Sequence, residues 1–187
     1  PYVAGTVYLN DFTFIGKASN NRIYNSNLGD PTTWNALAYI VFNQTTDTLV
    51  GIAKHLNYLV AFGQSSTQFF YDNGTGTSTT TPLAVAQSYT METGCAAADS
   101  IVSTSSTVLW IGTTKSHGVS VYLLDGVSPV KVSTSAIDKV LEADGLSRVM
   151  SYAYKFSGHS LYVLTLHTSS ITLVFDMGTR TWTQWTQ

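Results

Sequence analysis

Charged residues are scarce in this sequence. Asp, Glu, Lys and Arg make up 11% of its 187 residues, against about 25% in an average soluble domain. Nine basic residues stand against eleven acidic ones, so the formal net charge is −2. This balance argues against a strongly basic nucleic-acid clamp and against an acidic disordered tail.

Cysteine and long apolar runs are also nearly missing. The single cysteine, Cys95, excludes an intrachain disulfide framework and a zinc site built on paired cysteines, and we expect it to be a small buried apolar residue. No stretch approaches the roughly 20 apolar residues of a membrane span, and no targeting segment is recognisable. Because the sequence begins at Pro1 and ends just after a strand-like run, we expect it to be a portion of a longer polypeptide.

The sequence is instead rich in Ser, Thr and aromatic residues. Ser and Thr together number 48 and, with Tyr and Asn, supply the polarity that charges usually supply. Aromatic anchors recur along the chain at Tyr24, Tyr71, Tyr122 and Phe175, separated by 47, 51 and 53 residues. A composition of this kind favours β-structure, and the spacing indicates a repeat of about 50 residues.

Each of these aromatic residues lies in a short run in which apolar and polar residues alternate, and that run follows a mostly apolar one. The apolar runs are residues 12–16, 58–63, 108–112 and 161–165, and the alternating runs are 22–24, 68–71, 119–122 and 172–175. Further strand candidates precede three of the apolar runs, at 49–53, 100–103 and 151–154, and weaker ones follow at 82–86, 130–132 and 181–185.

About four antiparallel strands in each 50-residue unit are the pattern of a β-propeller blade. The sequence therefore predicts an all-β, propeller-type fold with approximate blades 1–45, 46–95, 96–145 and 146–187. The first strands would line the central channel. A sheet this small needs stacked neighbours to bury both faces, so the four blades are compatible with part of a larger ring.

Two segments interrupt the repeat. Residues 135–144 have helical apolar spacing, a capping-box pattern at Ser135 and Asp138, and a stop at Gly145, which predicts one short helix. Residues 73–82 are rich in turn formers, so we expect a surface loop there.

Three carboxylates, Asp72, Asp125 and Asp176, follow alternating strands at repeat-equivalent places. They could form a ring of acids for metal binding or acid–base chemistry. Because Gly lies within two residues of each, the stronger interpretation is that they stabilise hairpin turns.

Histidine and tryptophan positions also favour structural roles. His55 and His159 fall at matching places beside the first hairpin of their units, so they should lie in different blades rather than form a metal pair. His117 lies in a predicted turn, and His167 ends a strand. We expect Trp34, Trp182 and Trp185 to serve in core or inter-blade packing.

No established catalytic or phosphate-binding motif occurs in the sequence. We therefore predict no catalytic, cofactor-binding or metal-binding residues, no cofactor, and no enzymatic activity. Two other function classes stay open. A carbohydrate-binding propeller would repeat an aromatic-acid pocket in each blade, and a propeller hydrolase would need clustered acids or histidines.

Four strings resemble, in order and near spacing, the packaged-DNA stabilisation or tail hub (nozzle) proteins of short-tailed bacteriophages. They are residues 27–34, 93–100, 132–137 and 158–165, and the similarity extends from about Val7 to Trp185. In this resemblance, Asp30 and Pro31 start a turn, the small residues from Gly94 to Ala97 suit tight packing, and Ser135 caps the helix. The chain is far shorter than a full nozzle protein.

The resemblance implies a structural virion protein located in the phage tail and made in the host bacterial cytoplasm. Such a protein would assemble as a ring, commonly a hexamer, that continues the DNA channel and helps retain the packaged DNA. Its implied partners are copies of itself, the portal or adaptor, tail needle, spike or fibre proteins, and DNA in weak non-specific contact. The alternative from the residues is a lectin-like or receptor-binding propeller.

Overall fold

A computed structural model describes residues 2–43, 46–77, 79–114 and 118–185. Short strands dominate these residues, and Asn, Asp and Gly sit at many of the tight turns between them. At the turn between the first two strands, Asn10 and Asp11 both have positive φ, and Ser157 and Gly158 do so at the matching turn late in the chain. Two consecutive positive φ angles match the twist of a two-residue β-hairpin.

The strands form four antiparallel sheets in chain order. Blade 1 contains β1 (Tyr2–Leu9), β2 (Phe12–Lys17), β3 (Arg22–Asn27) and β4 (Asp30–Val41). Blade 2 contains β5 (Leu49–His55), β6 (Tyr58–Gly63), β7 (Thr67–Asp72) and β8 (Leu83–Met91). In each of these two sheets, strands consecutive in sequence pair with each other, and a parallel bridge from Ala4 to Gly51 joins β1 to β5.

The third sheet has a divided first strand. Blade 3 contains β9 (Gly94–Cys95), β10 (Val102–Ser103), β11 (Val108–Thr114), β12 (Gly118–Asp125) and β13 (Ser128–Lys131). Both β9 and β10 pair with β11, and a 3-10 turn at Ala98–Ser100 separates them. Blade 4 contains β14 (Val149–Phe156), β15 (His159–Leu166), β16 (Ile171–Asp176) and β17 (Thr181–Trp185).

This arrangement confirms the prediction of an all-β, propeller-type fold with one short helix. Helix α1 (Ser135–Asp144) has the predicted bounds and ends at Gly145, which has φ +73°. The predicted cap is wrong, because the side chain of Thr134, not Ser135, accepts the Ile137 N–H. Two strands of blade 1, β1 and β4, were missed by the sequence interpretation.

Three hydrophobic clusters hold neighbouring blades together. Strand alternation allows one blade to contribute to two clusters. In β11, Val108 and Trp110 pack towards blade 2, whereas Leu109 and Ile111 pack towards blade 4. Between blades 1 and 2 the cluster includes Phe14, Ile23, Leu49, Ile52 and Phe70. The core therefore lies between sheets, as stacked small sheets require.

Candidate functional site

The first strands of the blades lie side by side and form what we call the inner-strand surface, made of β1, β5, β10 and β14. Strand β10 contacts both β5 and β14. Two side chains form hydrogen bonds between neighbouring blades here. Ser103 Oγ of blade 3 donates to Lys54 O of blade 2 at 2.6 Å, and Ser151 Oγ of blade 4 donates to Asp99 O of blade 3 at 2.7 Å. First strands surround the central channel in a propeller, so this surface is the candidate functional site.

Two shallow cavities mark the inner-strand surface. One, of 590 Å³, lies between β1, the 3-10 turn and β14, and the other, of 500 Å³, lies between β1, β5 and β10. Lys54 and Arg148 contribute positive charge to their walls, Asp99 contributes negative charge, and Ser and Thr hydroxyls supply much of the remaining polarity. The surface is thus weakly basic and suited to weak contacts with a polyanion.

The backbone of the inner edge is fixed by buried hydrogen bonds. Tyr162 Oη donates to Ser100 O at 2.8 Å, and Ser100 Oγ donates to Ala97 O at 2.6 Å. Burial raises the pKa of Tyr162, so its hydroxyl stays protonated and keeps this donor role. Trp182 Nε1 donates to Val132 O at the outer part of the same interface. Blade 4 therefore docks on blade 3 through its side chains and the carbonyls of blade 3.

Two of the three predicted acids support turns. Asp72 Oδ1 accepts the Gly74 N–H at 2.8 Å, and Asp176 Oδ1 accepts the Gly178 N–H at 2.8 Å. The Gly178 N–H bond is the leading cause that lowers the pKa of Asp176, with a further contribution from His159. Asp125 ends β12 beside Gly126, which has φ +61°. Among the described residues, no three His, Cys, Asp or Glu side chains are placed to hold a metal ion.

The histidines are placed separately. His55 is buried, and its Nε2 lies 2.6 Å from Gly126 O of blade 3, while exposed His159 pairs with Asp176 at 2.6 Å. Both flank a first hairpin, as predicted, but on opposite arms: His55 pairs with Tyr58, whereas His159 pairs with Phe156. They are therefore not repeat-equivalent. His167 lines the larger cavity beside Arg148, and His117 lies outside the described residues.

Some of the tryptophan and cysteine side chains are buried between blades, whereas others are exposed. Trp182 packs with the cluster between blades 3 and 4, in agreement with the inter-blade interpretation, whereas Trp185 and Trp34 are partly exposed. Cys95 is buried, and burial raises the pKa of its thiol to about 12. The predicted loop at 73–82 has no strand among its described residues, and Asn73 N donates to Pro82 O across it.

The segments named in the resemblance have clear structural roles. Asp30 accepts hydrogen bonds from the Thr32 and Thr33 hydroxyls and the Thr32 N–H, and these bonds lower its pKa to about 2. Gly94 lies so close to blade 2 that an added Cβ would stand 2.2 Å from Gln64 O.

Sequence reasoning missed two other carboxylates, Asp47 and Asp144, because neither occurs at a turn motif. Asp47 accepts the Gln64, Ser65 and Ser66 N–H groups, and Asp144 accepts the Ser169 N–H. Each carboxylate therefore ties the segment before a blade's first strand to the turn between that blade's second and third strands. It also missed Lys54 and Arg148, since isolated bases give no sequence pattern.

Comparisons with known structures give only distant likenesses. The N-terminal domain of Nup159 has a TM-score of 0.45 at 10% identity, over 94% of this chain, and the chain spans 45% of that domain's length. A putative exported protein of Bacteroides fragilis NCTC 9343 has a TM-score of 0.37 at 9% identity, over 99% of this chain and 71% of that one. Neither likeness contributes to the assignment. No curated protein matches the sequence.

A family model gives a clear result. The model described as Bacteriophage P22 Gp10, beta-propeller, matches residues 3–187. This is a phage structural family associated with DNA stabilisation, not a known enzyme family. No helix among the described residues is long and apolar enough to cross a membrane. The chain folds into four antiparallel blades and matches the family model over nearly its whole sequence, so it belongs to the phage P22 Gp10 family of DNA-stabilisation β-propeller proteins.

Proposed function

We propose that this chain is part of a tail hub or nozzle protein that continues the DNA channel of a short-tailed phage and helps retain the packaged genome. The observation that supports this most directly is the family match over residues 3–187. In this proposal the protein is made in the host bacterial cytoplasm and acts by assembly, without a catalytic step.

The proposed assembly is a ring, commonly a hexamer, below the portal or adaptor and in contact with needle, spike or fibre proteins. Stacked blades joined by buried clusters and side-chain-to-backbone hydrogen bonds supply a rigid unit for such a ring. Weak basicity on the inner-strand surface supports a channel role, because many strong phosphate contacts would hold DNA in place.

The first experiment determines where the protein lies in the virion. A small epitope inserted in the exposed loop at 73–77 of the phage-encoded protein would be labelled and imaged by electron microscopy of purified virions. We expect label in a ring at the tail vertex. A stable free monomer that is missing from every particle would contradict the proposal.

DNA retention is tested on the same particles. Virions lacking the protein should package DNA and then lose it to added nuclease, whereas complemented virions keep it. A Lys54→Glu/Arg148→Glu variant should change the salt dependence of DNA release, since both side chains lie on the inner-strand surface. The exposed Lys139→Glu change on α1 is the matched control.

A further inference from the structure

Asn73 and Gly74 form the only Asn-Gly pair in the sequence. The pair lies directly after β7, where the chain leaves the sheet of blade 2, and both residues are exposed. The Asn73 N–H donates to Pro82 O at 2.9 Å, which fixes the start of the loop. Because glycine has no Cβ, the Asn73 side chain can approach the Gly74 nitrogen with little steric hindrance.

A carboxylate lies beside the Gly74 nitrogen. The Gly74 N–H donates to Asp72 Oδ1 at 2.8 Å, which is within the reach of a general base. The other oxygen, Asp72 Oδ2, accepts Asn10 Nδ2 of blade 1 at 2.9 Å, so the carboxylate is oriented from two sides. It is placed to accept the amide proton when the Gly74 nitrogen forms a new bond.

The side-chain carbonyl of Asn73 accepts two hydrogen bonds from one residue. The Thr75 N–H donates to Asn73 Oδ1 at 3.0 Å, and Thr75 Oγ1 donates to the same oxygen at 2.6 Å. Such donors stabilise the negative charge that develops on a carbonyl oxygen when its carbon is attacked. Four consecutive residues, 72–75, therefore hold a nucleophile, a base, an electrophile and an oxyanion site.

The matching turns of the other blades lack the electrophile. In blade 4, Asp176 accepts the Gly178 N–H at 2.8 Å, but Met177 lies between them. In blade 3, Asp125 is followed directly by Gly126. Blade 2 therefore adds a reactive amide to a combination of acid and glycine that blade 4 uses only to support its turn.

We propose that Asn73 converts spontaneously to aspartate and isoaspartate through attack of the Gly74 nitrogen on Asn73 Cγ. Asp72 serves as the base, and Thr75 stabilises the oxyanion. The new N–Cγ bond closes a succinimide ring, and the Gly74 proton passes through the carboxylate to Nδ2, which leaves as ammonia. Solvent water then opens the ring at either carbonyl, so the net reaction consumes one water and releases one ammonia.

The conversion changes both the charge and the backbone of the loop. A neutral amide becomes a carboxylate, so the formal net charge changes by one, from −2 to −3. Isoaspartate also adds one methylene to the main chain. Asp72 pairs with Leu83 before the altered residue, so we expect blade 2 to stay folded and the modified form to accumulate with age.

Peptide mass spectrometry of the purified chain, aged at neutral pH, tests the proposal. Fragment spectra locate the amide-to-acid conversion at position 73 and distinguish aspartate from isoaspartate. We expect faster conversion in the folded chain than in the same chain in concentrated urea, because unfolding removes the base and the oxyanion donors from Asn73. Equal or faster conversion of the unfolded chain overturns the proposal.

Two variants separate the roles of the base and the oxyanion donor. Asp72→Asn retains an acceptor for the backbone N–H but removes the base, and Thr75→Val retains the N–H donor but removes the hydroxyl. Each should slow conversion of the folded chain roughly tenfold and leave the rate in urea unchanged. A folded-state rate equal to that of the original chain in both variants overturns the assigned roles.

Asp176→Asn and Thr179→Val are the matched controls, because they make the same two substitutions in the blade 4 turn. They should leave the rate at position 73 unchanged. Thermal melting verifies that every variant is folded. The proposed tail location does not enter this test, so either result leaves it standing.

Discussion

At the scale of single residues, Gly94 depends on having no side chain. A Cβ there would stand within 2.4 Å of Gln64 and Ser65 backbone atoms, which cannot rotate away as a side chain would. We expect Gly94→Ala to lower the free energy of unfolding by about 3 kcal/mol. Gly126→Ala, where φ is +61° but space is open, should cost only about 1 kcal/mol. Urea denaturation of both variants measures the difference, and equal losses would contradict the close-contact argument.

Asp47 should make stability depend on pH. Burial acts to raise its pKa, but hydrogen bonds from Ser65, Ser66 and Thr48 outweigh it, so the pKa is lowered in the folded state. Its stabilising effect is therefore present above the unfolded pKa of about 3.9 and is lost as the pH falls through the folded value.

We expect Asp47→Asn to cost about 2 kcal/mol at neutral pH and to flatten the loss of stability below about pH 4. Asp125→Asn, at an exposed turn, is the matched control. Thermal melting across pH measures both, and a wild-type slope in the Asp47 variant would exclude this carboxylate as its source.

At the scale of elements, helix α1 depends on the residue before it. Thr134 accepts the Ile137 N–H, and Asp138 in the first turn accepts the Ser133 hydroxyl and pairs with Lys131 at 2.6 Å. Thr134→Ala should lower the free energy of unfolding by about 1 kcal/mol, and Ser135→Ala should change it little. Chemical denaturation distinguishes them; a larger loss for Ser135→Ala would restore the cap that the sequence predicted.

The elements also show how far sequence reasoning extends. Alternation and aromatic spacing were enough to locate β6, β7, β11, β12, β15 and β16, because each of these middle strands contains a run of buried residues with a strong apolar pattern. The same reasoning missed β1 and β4, where exposed and buried residues mix. It also could not reveal the split of the first strand of blade 3, which depends on the buried Ser100 hydroxyl bonding Ala97 O and the Ile111 N–H.

The candidate site was less predictable than the fold. Lys54, Asp99 and Arg148 come from three blades or their connections, so only stacking brings them to one surface. A strand was predicted at 151–154, but the exposure of Tyr152 and Tyr154 is a property of the folded chain that the sequence pattern does not show.

At the scale of the whole molecule, stability should increase from the outermost strand of a blade towards the middle strands. Strands β6 and β11 are almost wholly buried between two clusters, whereas β17 is mostly exposed. Hydrogen exchange followed by mass spectrometry should show the slowest amides in β6 and β11 and the fastest in β17 and the loop at 73–77. Uniform protection across all blades would contradict this gradient.

The alternation of β11 between two clusters has a consequence for how such a protein can change in length. One extra residue within β11 would turn Trp110 away from blade 2 and Ile111 away from blade 4, damaging both interfaces at once. An extra residue in the exposed loop at 73–77 would disturb neither. Evolution of this chain should therefore add and remove residues at hairpin tips rather than inside strands such as β11.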